Sequence, residues 1–118
     1  MQADPDIFKI GVNIPGEFLE KLMDSVNSVM EPVYPNYDRT FMYWPVKGTW
    51  RPLPGADPYN GTIGKIEVAD EMRVEFAVKE KDLRKVISVI ADVHPYEEPA
   101  IDVIPMYGWK GFIPSDAE

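Results

Sequence analysis

One short stretch gathers the residue types that could do chemistry: His94-Pro95-Tyr96-Glu97-Glu98-Pro99. It holds the chain's one histidine, two adjacent carboxylates and a phenol. Histidine titrates near neutrality and a nearby carboxylate raises its pKa, so His94 with Glu97 or Glu98 could form an acid–base pair. The same imidazole and carboxylates could bind a divalent ion, above all if symmetry-related copies met. Adjacent glutamates on an extended chain point to opposite faces, so at most one of them joins His94 easily. No activated nucleophile accompanies them. The chain has no cysteine and no phosphate-cradling glycine loop of standard spacing. The stretch therefore reads as a structural connector, with no catalytic residue and no metal ligands assigned.

A second constellation lies upstream, in a long loop carrying Trp50, Arg51 and Tyr59. Arg51 could grip a small anionic group bidentately, and Trp50 or Tyr59 could stack on a ring. With His94, Tyr96 and Glu97 these three make the candidate ligand-binding set. Its ligand, and any cofactor, stay unknown from sequence.

The elements that must position these residues follow from periodicity. Phe8, Ile10, Val12 and Ile14 alternate with Lys9, Gly11 and Asn13, the pattern of a half-buried strand. Pro15 suits the first turn of a helix. Behind it Phe18, Leu19, Leu22, Met23, Val26, Val29 and Met30 fall at helical spacing, with Pro32 predicted to end the helix near Met30. Thr40 to Trp44 is β-branched and aromatic, hence a strand; Pro45 limits it or places it at a sheet edge. From Pro45 to Gly64 prolines and glycines punctuate a stretch without periodicity, and such loops are usually functional or mobile. Lys65 to Val78 alternates again around the polar break Ala69-Asp70-Glu71, predicting a bulged long strand or a hairpin. Leu83, Val86, Ile87 and Ile90, widened by Val89 and Val93, form a second buried helical stripe. Pro95 fixes His94 outside helical geometry, so that helix must stop at or before His94. Residues 94–98 are then expected to be a rigid extended connector. Ala100 to Ile104 is a short strand, and residues 105–118 an irregular tail in which Trp109 and Phe112 pin part of it to a surface.

The order strand, helix, strand, long loop, strand, helix, strand gives an α+β ferredoxin-like βαββαβ sandwich, an antiparallel sheet with two helices on one face. Its 118 residues are expected to make a single domain. The apolar load of the strands predicts that the other sheet face is covered by a partner subunit. Twelve basic against twenty acidic residues give a net charge of −8, which opposes nucleic acid and anionic membrane surfaces. No apolar run approaches a membrane span and the first six residues lack signal-peptide features, so a cytoplasmic protein is expected.

Two segments together resemble a known family. Thr49-Trp50-Arg51-Pro52, then Gly55, Pro58 and Gly61, then Gly64-Lys65-Ile66-Glu67 resembles the loop-and-strand pattern of the YqfO-like insertion domain. That domain interrupts many Nif-three-like (NGG-interacting-factor) proteins. His94 to Ala100, with Asp102 and Pro105 behind it, is similar to the same domain's second signature. The match covers about residues 47 to 106 and implies the PII/CutA-like variant of the ferredoxin-like fold. CutA proteins carry a similar His–x–Tyr–Glu–x–Pro connector and form trimers, so the resemblance implies a homo-oligomer, a trimer rather than a dimer. Full-length family members hold two metal ions on several His, Asp and Glu residues from flanking domains. This chain has one histidine, so neither that site nor any hydrolase activity carries over. The expected function is a non-enzymatic homo-oligomeric domain that binds a small ligand or regulates. The alternatives are pure oligomerisation or CutA-like divalent metal binding.

Overall fold

The structure, a computed structural model, describes residues 6–114. Strand β1 spans Ile7–Ile14, and its inward residues Phe8, Ile10, Val12 and Ile14 stand opposite Val78, Phe76, Val74 and Met72 of the antiparallel β3. Pro15 leads into a 3-10 turn at Gly16–Phe18 and helix α1, Leu19–Asn27. The apolar stripe predicted a helix running to about Met30. It ends three residues earlier because two polar side chains compete with the helix for hydrogen bonds. Asn27 turns outward to bond Asp38 and the Arg39 N–H, and Ser28 Oγ bonds Ser25 O. Val29 and Met30 still pack on the core.

Strand β2 spans Met42–Trp50 and runs straight through Pro45. β3 spans Glu67–Lys79, α2 Leu83–Val93 and β4 Ile101–Met106. The sheet order is β2-β3-β1-β4, so β2 and β4 are the edges, where a proline's missing N–H goes unnoticed. Of the two roles open to Pro45, edge placement is the one realised. Pro105 likewise lies within β4, opposite Phe8, and lengthens it beyond the predicted end at Ile104. The irregular loop therefore shrinks to residues 51–66. Nor is β3 bulged at Asp70: it pairs without interruption with β2, from Trp50↔Glu67 to Met42↔Glu75. The polar break is a regular length of strand whose sides alternate, Asp70 exposed and reaching across to Lys47 at 2.6 Å while Glu71 is buried.

Both helices cover one face, where Leu22, Val26, Val86 and Ile90 close over Ile10, Val12, Ile14, Val74, Phe76 and Val78, all buried. This is the ferredoxin-like sandwich. The other face differs from the apolar surface expected of it. At its centre the Arg73 guanidinium lies over Gly11, bonding Asp102 at 2.9 Å, Asn13 at 3.2 Å and Glu75 at 3.3 Å. Apolar Met42, Trp44 and Ile104 flank that network on the edge strands, all well exposed. Strict alternation fills this face with charged residues in β1 and β3 and leaves the apolar ones to the rims.

After β4 a 3-10 turn at Trp109–Phe112 follows. Trp109 and Phe112 are about 60% exposed, so they do not pin this segment as expected. Residues 115–118 of the predicted tail lie outside the described residues.

Candidate ligand site

His94 is the hinge of the site. Pro95 pushes it to φ −69°, ψ 129°, ending α2 at Val93, and the turn drops its ring beside the end of β1. Nε2 donates to Asn13 O at 2.6 Å, while Nδ1 accepts the Tyr96 N–H at 3.2 Å. That pair of bonds fixes the neutral Nε2–H tautomer. Burial holds the imidazole pKa below its ordinary value, against the opposing pulls of Asn13 O and Glu71.

The Tyr96 side chain thus leaves the connector in a fixed direction. Its hydroxyl donates to Glu71 Oε2 at 2.7 Å. Desolvation first, and then that bond, raise the phenol's pKa well above the usual value. The ring lies 5.5 Å from Trp50, 5.9 Å from Tyr59 and 4.9 Å from His94, centroid to centroid.

The 51–66 loop folds back over this cluster. Its ends are tied by Gly64 N–H to Pro52 O at 2.7 Å, and Trp50 Nε1 donates to Asn60 O at 3.0 Å. Gly61, at φ 122°, lies so close to Trp50 and Pro52 that a side chain would be strained in backbone and crowded in space. Asp57 N–H donates to Glu97 Oε1 at 2.8 Å, binding the loop to the connector. Tyr59 meets Phe18 edge-on at 6.1 Å.

Between loop and connector lies a cavity of about 410 Å³, within the range of small-ligand sites. Of the sequence-predicted residues, Trp50, Tyr59, Tyr96 and Glu97 line it. His94 stands behind the wall and acts through Tyr96. Arg51 is exposed and outside the lining, because alternation along the chain sends it away from Trp50. Glu97 and Glu98 both face the cavity, contrary to the expectation of opposite faces: residues 96–98 bend rather than extend. Neither bonds His94.

Sequence reading missed Glu71 and Gly48. Glu71 is 6% exposed, and its carboxylate occupies the space that a Cβ at Gly48 would take. Their signal was present: Glu71, Arg73 and Glu75 share one alternating phase, hidden by treating residues 69–71 as a break.

No family model matches the chain. A Staphylococcus epidermidis protein named "GTP cyclohydrolase 1 type 2 homolog" is 35% identical over 99 residues, 84% of this chain and 27% of that protein. A like-named Bacillus subtilis protein is 29% identical over 104 residues. A Bacillus cereus protein described as related to NIF3 superposes with TM-score 0.76 at 26% identity, over 91% of this chain and 27% of its own. The chain is similar to one stretch of YqfO-like, Nif-three-like proteins. This YqfO-like chain spans about a quarter of the length of the curated relatives it matches. Its fold is that of CutA and PII proteins. Archaeoglobus fulgidus CutA superposes with TM-score 0.64 at 20% identity, covering 90% of each chain. B. subtilis GlnK does so with 0.57 at 16% identity, over 86% and 85%. Among the described residues of the YqfO-like chain, no helix is long and apolar enough to cross a membrane. No three of its described His, Asp and Glu side chains are grouped to hold a metal ion.

Proposed function

We propose that the chain is a non-enzymatic, homo-oligomeric domain of the cytoplasm, a trimer, that binds a small ligand between its 51–66 loop and its 94–100 connector. The observation that carries this reading is the cavity itself, walled by two segments that the Asp57–Glu97 bond stitches together, with the loop held to the end of β2 by Trp50–Asn60. A non-catalytic role is supported by the commitment of both His94 nitrogens to backbone groups, which leaves the ring no lone pair for proton transfer to a ligand. The cyclohydrolase-homologue name belongs to relatives about three times as long and sets no activity for this stretch.

Native mass spectrometry of the purified chain tests the reading. The expected spectrum is a trimer carrying added mass that leaves on collisional activation. A bare trimer that takes up nothing from a metabolite extract overturns ligand binding, and a monomer overturns assembly. The assembly-only alternative draws its support from exposed Met42, Trp44 and Ile104 on the open sheet face.

A further inference from the structure

The ligand's charge can be read from the cavity walls. Glu71 projects from β3 among residues that leave it almost no solvent, 6% exposed. One carboxylate oxygen, Oε2, accepts the Tyr96 hydroxyl at 2.7 Å. The other, Oε1, lies over Gly48 and accepts no hydrogen bond from the described residues. Among the described residues no sealed polar side-chain atom lacks a partner, so Oε1 is open, and the space Glu71 and Gly48 both border is the cavity. No described lysine or arginine pairs with Glu71, and none lines the cavity. A desolvated carboxylate without a counter-charge is costly. Glu97 and Glu98 add negative potential at the mouth, and the chain's −8 net charge extends it outward.

The uncharged part of the wall carries three aromatic rings among prolines, alanines and the Asn13 and Asn60 amides. Trp50, Tyr59 and Tyr96 surround the space, and an aromatic face attracts a cation by its quadrupole. A triphosphate or carboxylate ligand would meet three acids and no cation. Building on the reading of this cavity as a ligand site, we infer that it takes a small organic cation: a protonated amine or amidinium whose N–H groups bond Glu71 Oε1, with a flat body held among Trp50, Tyr59 and Tyr96. Gly48 is then a specificity residue, since only glycine leaves the carboxylate its place.

Isothermal titration calorimetry of the full chain with four probes, three of them near-isosteric, tests the inference without altering the protein. Benzamidinium is expected to bind at least about tenfold more tightly than neutral benzamide, and benzoate not to saturate. Benzyltrimethylammonium, a cation without N–H donors, is expected between benzamidinium and benzamide. In Glu71→Gln the preference for benzamidinium over benzamide should collapse, and Gly48→Ala should do the same by displacing the carboxylate. Equal affinity for benzamide and benzamidinium, binding of benzoate, or an unchanged preference in Glu71→Gln overturns the inference. So does the absence of binding by every probe. If native spectra nevertheless show added mass, the ligand site stands and only its cationic character falls. If they show none, the site falls with it.

Discussion

At the scale of single residues, His94 behaves as a hydrogen-bonding keystone. Its two ring nitrogens bridge β1 and the connector; Nε2–H can donate in either protonation state, but Nδ1 accepts the Tyr96 N–H only when the ring is neutral. Protonating Nδ1 would set its proton against the Tyr96 N–H. A neutral form favoured by the fold means that the unfolded chain binds more protons than the folded one between the two pKa values. Stability owed to His94 is therefore full above the unfolded pKa of 6.5 and falls as pH drops from there through the lowered folded value. Urea denaturation at stepped pH should show this loss in the wild type, with the slope between pH 7 and 5 reduced in His94→Ala. The same substitution at pH 7 should cost about 1–3 kcal/mol, the range for orphaning buried hydrogen-bonding partners. A change under about 0.5 kcal/mol, typical of neutral surface positions, would overturn the keystone role.

At the scale of elements, the two halves of the fold are joined where α1 gives way to the loop before β2. Asp82 is 1% exposed, at the end of the 3-10 turn that opens α2. Its Oδ2 accepts the Glu31 N–H at 2.9 Å across 51 residues of chain, and Lys85 lies 3.2 Å from Oδ1. That backbone bond, followed by the lysines, holds its carboxyl below the usual range despite burial. Asp82→Ala should lower unfolding free energy by about 1–3 kcal/mol, while Asp82→Asn, which keeps an acceptor, should lose less. Chemical denaturation of both variants measures the difference, and equal losses would show that the Glu31 bond contributes nothing. Much of this layer was legible in the sequence. The inward alternation of β1, both apolar helical stripes and the Pro95 stop gave element types and order. Boundaries failed where tertiary position overrode a local rule. Pro45 and Pro105 are tolerated because β2 and β4 turned out to be edges, which no local pattern reveals. Residues 69–71 stay in β3 because β2 pairs with them. The site was half legible for the same reason: Trp50, Tyr59, Tyr96 and Glu97 lie in segments rich in turn residues, whereas Glu71 draws its importance from burial against Tyr96 of the connector, 25 residues further along the chain.

At the scale of the whole molecule, one feature is unsatisfied by a single copy. β1 pairs with β3 only from Met72 onward, so residues 46–50 of β2 and 67–71 of β3 continue past it as a two-stranded ribbon. An isolated ribbon is marginally stable in water at best. The Cα radius of gyration, 17.1 Å, also exceeds the roughly 13 Å of a compact domain this size. Exposed Ile66 and Val68 sit at the start of the ribbon, and Trp44 and Met42 at the open face. A second copy laid along ribbon and open face would bury these side chains while leaving the central Arg73–Asp102–Glu75 network to set its orientation by charge. Sedimentation velocity at micromolar concentration should therefore find an assembly, three-membered on the function proposed above. Trp44→Glu, which places a charge at the rim, should shift it towards monomer with its far-UV circular dichroism unchanged. A wild-type monomer would mean that the ribbon is stable unaided, held by its own ladder and by the 51–66 loop folded back upon it. An assembly indifferent to Trp44→Glu would instead place the contact on the ribbon alone.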